Sequence, residues 1–210
     1  MTVRRRRAKE KQERHDEILD AAELTFFDKG YEQTSMDDIA RAAQLSRALL
    51  YVYFRDKAAI MRGVMLRAAQ SLQHRFEAAL AAGDSGVAQI EGIGHAYHAF
   101  SVDQADYFDV LTSMATFPGP EESDAQLLAL DHCRESVNEL MVKALRNGID
   151  DGSLSETYIK NPLQTAFYLQ GALHGVIMQT RGGKSSQTDY PEAGELIRYT
   201  IAMLTNSIQP

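Results

Sequence analysis

The fold is decided by residues 34–54, which read TSMDDIARAAQLSRALLYVYF. Ser35 can cap a short helix, and Asp38 stands at the third helical position, where an acidic side chain completes a capping box. After a tight turn at Gln44-Leu45, Ser46 can cap another short helix. Two short capped helices joined by a tight turn predict a helix-turn-helix.

The second of these helices has two different faces. Leu50 and Phe54 lie one turn apart and can pack into a small core, whose other members are Phe27, Ile39 and Leu45. The opposite face carries one cation and several apolar side chains: Arg47, Ala48, Leu49, Tyr51 and Val52. An exposed apolar surface on so small a helix favours a function in which something covers it, and the major groove of DNA would do so.

Residues 34–57 resemble the DNA-binding signature of TetR-type (tetracycline-repressor-like) regulators, and the resemblance is specific over about residues 14–66. It implies an all-α fold with an N-terminal three-helix helix-turn-helix domain, joined by a long helix to a larger helical ligand-binding and dimerisation domain. It further implies a homodimeric repressor that leaves a palindromic operator when it binds a small hydrophobic effector.

The same resemblance implies roles for individual residues. Ser46, Tyr53 and Lys57 would bind phosphates, and Arg47 would read a guanine edge. Ala48 and Tyr51 also match positions that touch DNA in such regulators, and we include Ser35 in the set. This sequence has Leu49 and Val52 where polar or small residues are common in the family. We therefore predict apolar contacts to thymine methyl groups.

The rest of the chain reads as helix separated by Gly and Pro breaks. The first helix is predicted from about Ala8 to Lys29, and a long helix capped by Asp56 continues to about Ala82. Further helices are predicted at about 87–102, 105–116, 123–147, 162–181 and 192–208. We expect a basic arm at residues 1–13, a DNA-binding domain at 14–60 and a body at 61–210.

Charge is distributed unevenly along the chain. Residues 1–60 hold 12 Lys/Arg and 11 Asp/Glu, whereas residues 61–210 hold 10 and 18. Local phosphate binding depends on the contacting patch and not on the net charge of −7. Arg4, Arg5, Arg6 and Arg7 open the chain, either as a solubilising tail or as an arm that enters a neighbouring minor groove. Double-stranded DNA is therefore the expected partner.

The body carries candidate residues for an effector and for a partner subunit. Its aromatic and histidine side chains are mostly core, but we select five as lining a ligand cavity: Tyr97, His98, Tyr107, Phe108 and His174. Apolar stripes on the last two helices predict a four-helix dimer interface, unless they pack only inside one protomer. The residues selected for it are Phe167, Gly171, Gly175, Ile197, Ile201 and Leu204.

Other function classes find little support. The sequence has no phosphate-binding loop, dinucleotide fingerprint or nucleophile elbow, so we expect no catalytic residue and no enzyme. Glu91, His95 and His98 have helical spacing that could hold a metal, but we expect no metal and no cofactor. One cysteine and no apolar run of membrane-spanning length predict a cytoplasmic protein without membrane contact. The alternative is a helical small-molecule-binding protein or enzyme with a solubilising basic arm.

Overall fold

Capping hydrogen bonds set the starts of the second, third and fourth helices. In a computed structural model, which describes residues 3–113, 125–181 and 191–210, the Ser35 hydroxyl accepts from the Asp38 N–H, and Asp38 accepts from the Ser35 N–H. Ser46 accepts from the N–H of Leu49. Asp56 accepts from the N–H of Ala59 at 2.7 Å, which starts the long helix. The three caps expected from the sequence are confirmed.

The turn between the two short helices is closed by a residue with positive φ. Gln44 has φ 56°. Its N–H donates to the Arg41 carbonyl, and the Leu45 N–H donates to the Ala40 carbonyl. This is the Schellman arrangement, which usually places glycine at the left-handed position because a Cβ there is disfavoured. The backbone hydrogen bonds hold Gln44 in the turn that separates the helices.

The described part of the chain contains nine helices and no strand, so the predicted all-α class is confirmed. Their bounds are α1 Val3–Lys29, α2 Met36–Ala42, α3 Arg47–Tyr53, α4 Lys57–Ala82, α5 Gly86–Asp103, α6 Ala105–Thr112, α7 Ala125–Asp150, α8 Pro162–Arg181 and α9 Ala193–Asn206. The largest difference from the sequence-based bounds is at α1, which begins five residues before Ala8. Ion pairs from Arg6 to Glu10 and from Lys9 to Glu13 support these extra turns, because side chains four residues apart meet on a helix.

The chain divides into two compact units. Unit 1 comprises Met1–Ala68 and Asp109–Leu130, and unit 2 comprises Ala69–Phe108 and Asp131–Pro210. In unit 1, α2 packs against α1 and α3, around buried apolar side chains that include Ile18, Phe26, Ile39, Leu50 and Phe54. In unit 2, α5, α8 and α9 pack against one another.

One close approach in unit 2 predicts a large effect on stability. A Cβ at Gly86, the first residue of α5, would overlap the backbone of Gly148 in α7. A backbone cannot move aside as a flexible side chain can, so we expect Gly86→Ala to lower the free energy of unfolding by about 1–3 kcal/mol or more. The measurement is the urea midpoint of the variant against the parent protein.

Gly92, in the interior of α5, provides the matched control. Its added Cβ would lie 3.6 Å from the Ala79 Cβ, which is ordinary van der Waals contact. Gly92→Ala should leave the midpoint unchanged or raise it, because alanine is favoured over glycine inside a helix by about 0.5–1 kcal/mol. Equal midpoints for the two variants would contradict the close contact at Gly86.

Candidate nucleic-acid interface and body cavity

The two faces of α3 are oriented as the sequence predicts. Leu50 and Phe54 are buried, whereas Val52 is 70% exposed. Arg47, Ala48, Leu49 and Tyr51 are exposed with it. Phe27 and Leu45, which were expected in the small core, are half-buried at its edge. The helix therefore presents one cation and an apolar surface to solvent.

The Arg47 guanidinium is held in place by its neighbours on the surface. Nη1 donates to Oδ2 of Asp37 at 3.0 Å, and Nη2 donates to the Tyr51 hydroxyl at 3.4 Å. The guanidinium carbon lies 5.7 Å from the centre of the Tyr51 ring. These contacts raise the pKa of Arg47, the Tyr51 hydrogen bond having the larger effect and Asp37 the next. Sequence reasoning missed Asp37, because its partner is on the other side of the turn.

Ser35 has a different role from the DNA contact predicted for it. Its hydroxyl donates to Oδ2 of Asp38 at 2.6 Å, and its N–H donates to the same oxygen. With Lys29, these bonds hold the pKa of Asp38 well below its usual range. Because a hydroxyl has one proton, Ser35 has no donor left for a phosphate. Ser35 caps α2, and its contact with DNA stays a prediction.

The other two hydroxyl candidates lie on α3 or at its start. The Ser46 oxygen accepts from the backbone and the residue is exposed, so its O–H remains available as a donor to a phosphate. Tyr53, in the last turn of α3, is half-buried.

Lys57 is directed towards the protein backbone. Its ammonium donates to the carbonyls of Tyr31 at 2.7 Å and Glu32 at 3.4 Å, and it lies 4.3 Å from the centre of the Tyr31 ring. The sequence could not show these contacts, because they join residues about 25 positions apart. Lys57 thus holds the segment between α1 and α2, and its phosphate contact remains a prediction.

A second missed contact stabilises the end of α3. The imidazole of His15 in α1 stacks on the ring of Phe54 with centroids 4.7 Å apart and planes at 28°. Because Phe54 is the C-cap residue of α3, this stack fixes the end of the exposed helix against α1. No local sequence pattern joins two residues so far apart.

The four arginines of the expected arm lie on the first turns of α1. Arg4, Arg5, Arg6 and Arg7 are exposed and helical. Among them, Arg6 pairs with Glu10 at 3.4 Å. The arm is thus a continuous helical extension, in which each side chain has a fixed angular position.

Unit 2 contains a small, partly open apolar cavity of about 40 Å³. Helices α4, α5, α7, α8 and α9 each contribute to its lining, which includes Phe76, Ile93, Tyr97, Met141, Leu173 and Leu204. The Tyr97 hydroxyl lies 2.8 Å from Nδ1 of His174. Burial raises the pKa of Tyr97 to about 12, so its phenol is neutral at physiological pH. The cavity therefore combines apolar walls with a neutral hydrogen-bonding group.

The structure brings together three of the five predicted cavity residues. Phe108 is buried, with its ring 5.7 Å from Tyr97 and 5.8 Å from His174. Tyr97 lines the cavity itself, and His174 is its polar partner. The other four predicted residues, His98, Tyr107, Phe108 and His174, are not among those that line the cavity. Burial lowers the pKa of His98, and the charges of His95 and of Arg198 in α9 lower it further.

Half of the predicted dimer interface faces inward. Ile197 and Ile201 are buried within their own protomer, and Ile201 and Leu204 line the cavity. The prediction for Ile197 and Ile201 was wrong, because α9 uses this apolar stripe to pack on α5 and α8, whereas Leu204 is half-buried and its place in an interface stays a prediction. By contrast, Phe167 is 57% exposed, and an added Cβ at Gly171 or Gly175 would meet nothing within 4 Å. The exposed apolar residues of α9 are Tyr199 and Met203.

Residues 3–113, 125–181 and 191–210 contain neither a metal-ligand cluster nor a helix suited to span a membrane. No group of three or more His, Cys, Asp or Glu side chains is arranged to hold a metal ion, and His95 is 4.0 Å from Glu91. No helix in this part of the chain has both the length and the apolar character that a membrane crossing requires.

The N-terminal region that carries this surface is similar to known regulatory proteins. Residues 18–64 match the model of bacterial regulatory proteins of the tetR family. The chain is 34% identical over 61 residues to the HTH-type transcriptional regulator TtgR of Pseudomonas putida, a match that covers 29% of each protein. It is 42% identical over 45 residues to IcaR of Staphylococcus aureus, the negative transcriptional regulator of the icaADBC biofilm operon, covering 21% of this chain and 24% of IcaR.

The likeness to solved structures extends over nearly the whole fold. The transcriptional regulator FadR from Bacillus subtilis, solved in complex with stearoyl-CoA, superimposes with a TM-score of 0.68 at 14% identity, over 92% of this chain and 98% of that one. The sequence matches cover less than a third of each curated relative, and the family model matches residues 18–64, from α1 into α4. Residues 18–64 are thus similar to the N-terminal domain of tetR-family bacterial regulatory proteins, and the likeness to solved structures shows that nearly the whole chain shares their helical fold.

Proposed function

We propose that this protein is a DNA-binding transcriptional repressor. Residues 14–60 would form the DNA-binding domain and residues 61–210 the effector-binding and dimerisation domain, without enzymatic activity. The single observation that carries the proposal is the outward face of α3, where Arg47 stands beside an exposed apolar surface. The negative regulation named for IcaR supports repression. A function on chromosomal DNA implies a cytoplasmic location.

The operator is expected to be a palindrome read by two copies of the chain. In this arrangement each α3 enters a major groove, and the two half-sites lie one helical turn apart, about 34–36 Å. The test is a selection from random duplexes with the purified full-length protein. A pseudo-palindromic consensus is expected, with thymines beneath Leu49 and Val52.

The salt dependence of affinity for the selected duplex provides a second test. With about 6–10 phosphate contacts per dimer, affinity should fall by roughly 10³–10⁵ between 50 and 200 mM salt. A protein that selects no consensus and binds with a flat salt response would overturn the proposal.

The second copy is expected to dock on the exposed faces of α8 and α9. Phe167 and Met203 provide apolar area, and Gly171 allows the partner helix to approach closely. We predict that Phe167→Glu weakens dimerisation by about 30-fold or more, because a charge would be buried at the centre of the interface. Sedimentation at several protein concentrations measures this effect.

Val102→Glu is the matched control for the dimer experiment. Val102 is 63% exposed on α5, so the same charge is added at an apolar surface residue outside the proposed interface. This variant should sediment as the parent protein does. If Phe167→Glu also sediments as the parent protein does, the interface lies elsewhere.

The effector is expected to be a small hydrophobic molecule with a hydrogen-bonding group. The apolar walls of the cavity and its neutral Tyr97 phenol support this class, as does the acyl ligand named for FadR. A volume of about 40 Å³ is far below the roughly 300–1,000 Å³ of ligand pockets, so a larger effector would have to displace side chains such as Met141. Release of labelled operator by compounds of this class, scored together with thermal stabilisation of the protein, tests the idea.

In the proposed mechanism, α4 transmits the effect of effector binding in the body to the DNA-binding domain. This helix runs without a break from Lys57 to Ala82 and contributes Phe76 to the cavity lining. An effector that prefers the released state by a few kcal/mol is sufficient to shift the population.

A further inference from the structure

Arg47 forms an ion pair with Asp37, so a carboxylate lies on the surface that faces DNA in the proposed function. Asp37 is on α2, and its side chain and that of Arg47 are both more than half exposed, with the ion pair at 3.0 Å. A carboxylate at such a surface repels phosphates, so it opposes binding to DNA of any sequence. A protein selected only for affinity would not benefit from it.

The capping contacts of α2 are made by Asp38, the residue next to Asp37. Asp38 caps α2 and accepts hydrogen bonds from Ser35, Lys29 and Arg41. Asp37 makes none of these capping contacts, and its hydrogen bond in the described part of the chain is the one from Arg47. As an acidic residue in the first turn of α2, Asp37 also interacts favourably with the helix dipole, but its side-chain hydrogen bond is directed to Arg47.

The geometry leaves Arg47 able to bind a base. A guanidinium has five N–H groups, of which one on Nη1 and one on Nη2 are used by Asp37 and Tyr51. Three remain, and a bidentate contact to the O6 and N7 atoms of guanine needs two. The two hydrogen bonds also restrict the Arg47 side chain, so that rotamers directed to the nearest phosphate are less populated.

We propose that Asp37 and Tyr51 are specificity-determining positioning residues, which hold Arg47 towards a guanine edge and make it a poor phosphate clamp. This inference rests on the proposed function, since it requires that α3 faces duplex DNA. It assigns discrimination between sequences to an acidic side chain that itself touches no base.

The experiment compares full-length Asp37→Ala with the parent protein on three duplexes. These are the selected operator, the operator changed at the base pair whose discrimination is lost in Arg47→Ala, and a random duplex. The parent should discriminate against the changed operator by about 10- to 100-fold. Asp37→Ala should bind random duplex several-fold more tightly and lose about 5-fold or more of the discrimination. Tyr51→Phe, which keeps the ring and removes the hydroxyl, should lose discrimination without tighter random binding.

Asp28→Asn is the control for charge. Asp28 is an exposed residue of α1, and the variant removes the same single negative charge without touching Arg47. Its discrimination should equal that of the parent protein. The inference is overturned if Asp37→Ala discriminates as the parent does, or if Asp28→Asn loses as much. If the parent binds no duplex at all, the proposed function fails first and the inference fails with it.

Discussion

Replacing Arg47 by alanine is expected to weaken binding to the operator strongly while leaving weak, general DNA binding in place. A bidentate contact to guanine contributes about 1–3 kcal/mol of discrimination, and a dimer makes it twice. The expected loss of operator affinity is therefore roughly 30-fold to 20,000-fold. Binding to random duplex should fall much less. Fluorescence anisotropy on both duplexes at one salt concentration measures the two effects.

Arg41→Ala separates base reading from simple loss of charge. Arg41 is an exposed cation on α2 that pairs with Asp38 at 3.3 Å, so the variant also removes one positive charge from the helix-turn-helix. It should weaken binding to all sequences by a similar small factor. If Arg47→Ala behaves in the same way, with equal losses on operator and random duplex, Arg47 is a phosphate contact and the proposed reading of guanine is wrong.

Neutralising one face of the N-terminal helix is expected to reduce the salt dependence of DNA binding strongly. Because α1 begins at Val3, the helical period places Arg4, Arg7 and Lys11 on one face. These cations make no ion pair within the described part of the chain. By contrast, Arg6 pairs with Glu10, and Lys9 pairs with Glu13 at 3.4 Å. The unpaired face can run along a phosphate backbone.

The variant carries Arg4→Gln, Arg7→Gln and Lys11→Gln, which removes six cations from a dimer. Each phosphate contact contributes about 0.9 to the slope of log K against log salt, so the slope should fall by about 5 if all six touch phosphates. The matched control carries Arg5→Gln, Arg6→Gln and Lys9→Gln and loses the same charge. Its slope should change by much less, because two of its three cations are already paired with glutamates.

A helix-breaking variant distinguishes this arrangement from a flexible arm in the minor groove. Ala8→Pro removes a backbone hydrogen bond and interrupts α1 just after the arginines. If the helix carries the cations along the backbone, Ala8→Pro should reduce the slope nearly as much as the first triple variant. Equal slopes for the two triple variants, with no effect of Ala8→Pro, would instead indicate an unstructured basic tail.

The helix starts and the faces of α3 were predictable because they depend on contacts within a few residues. Ser35 with Asp38, Ser46 with Leu49, and Asp56 with Ala59 are each three positions apart, so one sequence window contains both partners. The periodicity of Leu50 and Phe54 likewise identifies a buried side without knowledge of what covers it. The start of α1 was missed by five residues, since a run of arginines looks like a tail until its glutamate partners are counted.

The sequence by itself determined the helical class, the capped helix-turn-helix and the outward position of Arg47, because short-range hydrogen bonds and helical periodicity fix all three. Only the tertiary structure decided which apolar stripe of α9 turns inward, that Lys57 holds the carbonyls of Tyr31 and Glu32, and that Asp37 holds Arg47. An amphipathic stripe packs equally well on its own protomer or on another. Contacts across a turn or between distant helices depend on how the helices pack, which no local pattern records.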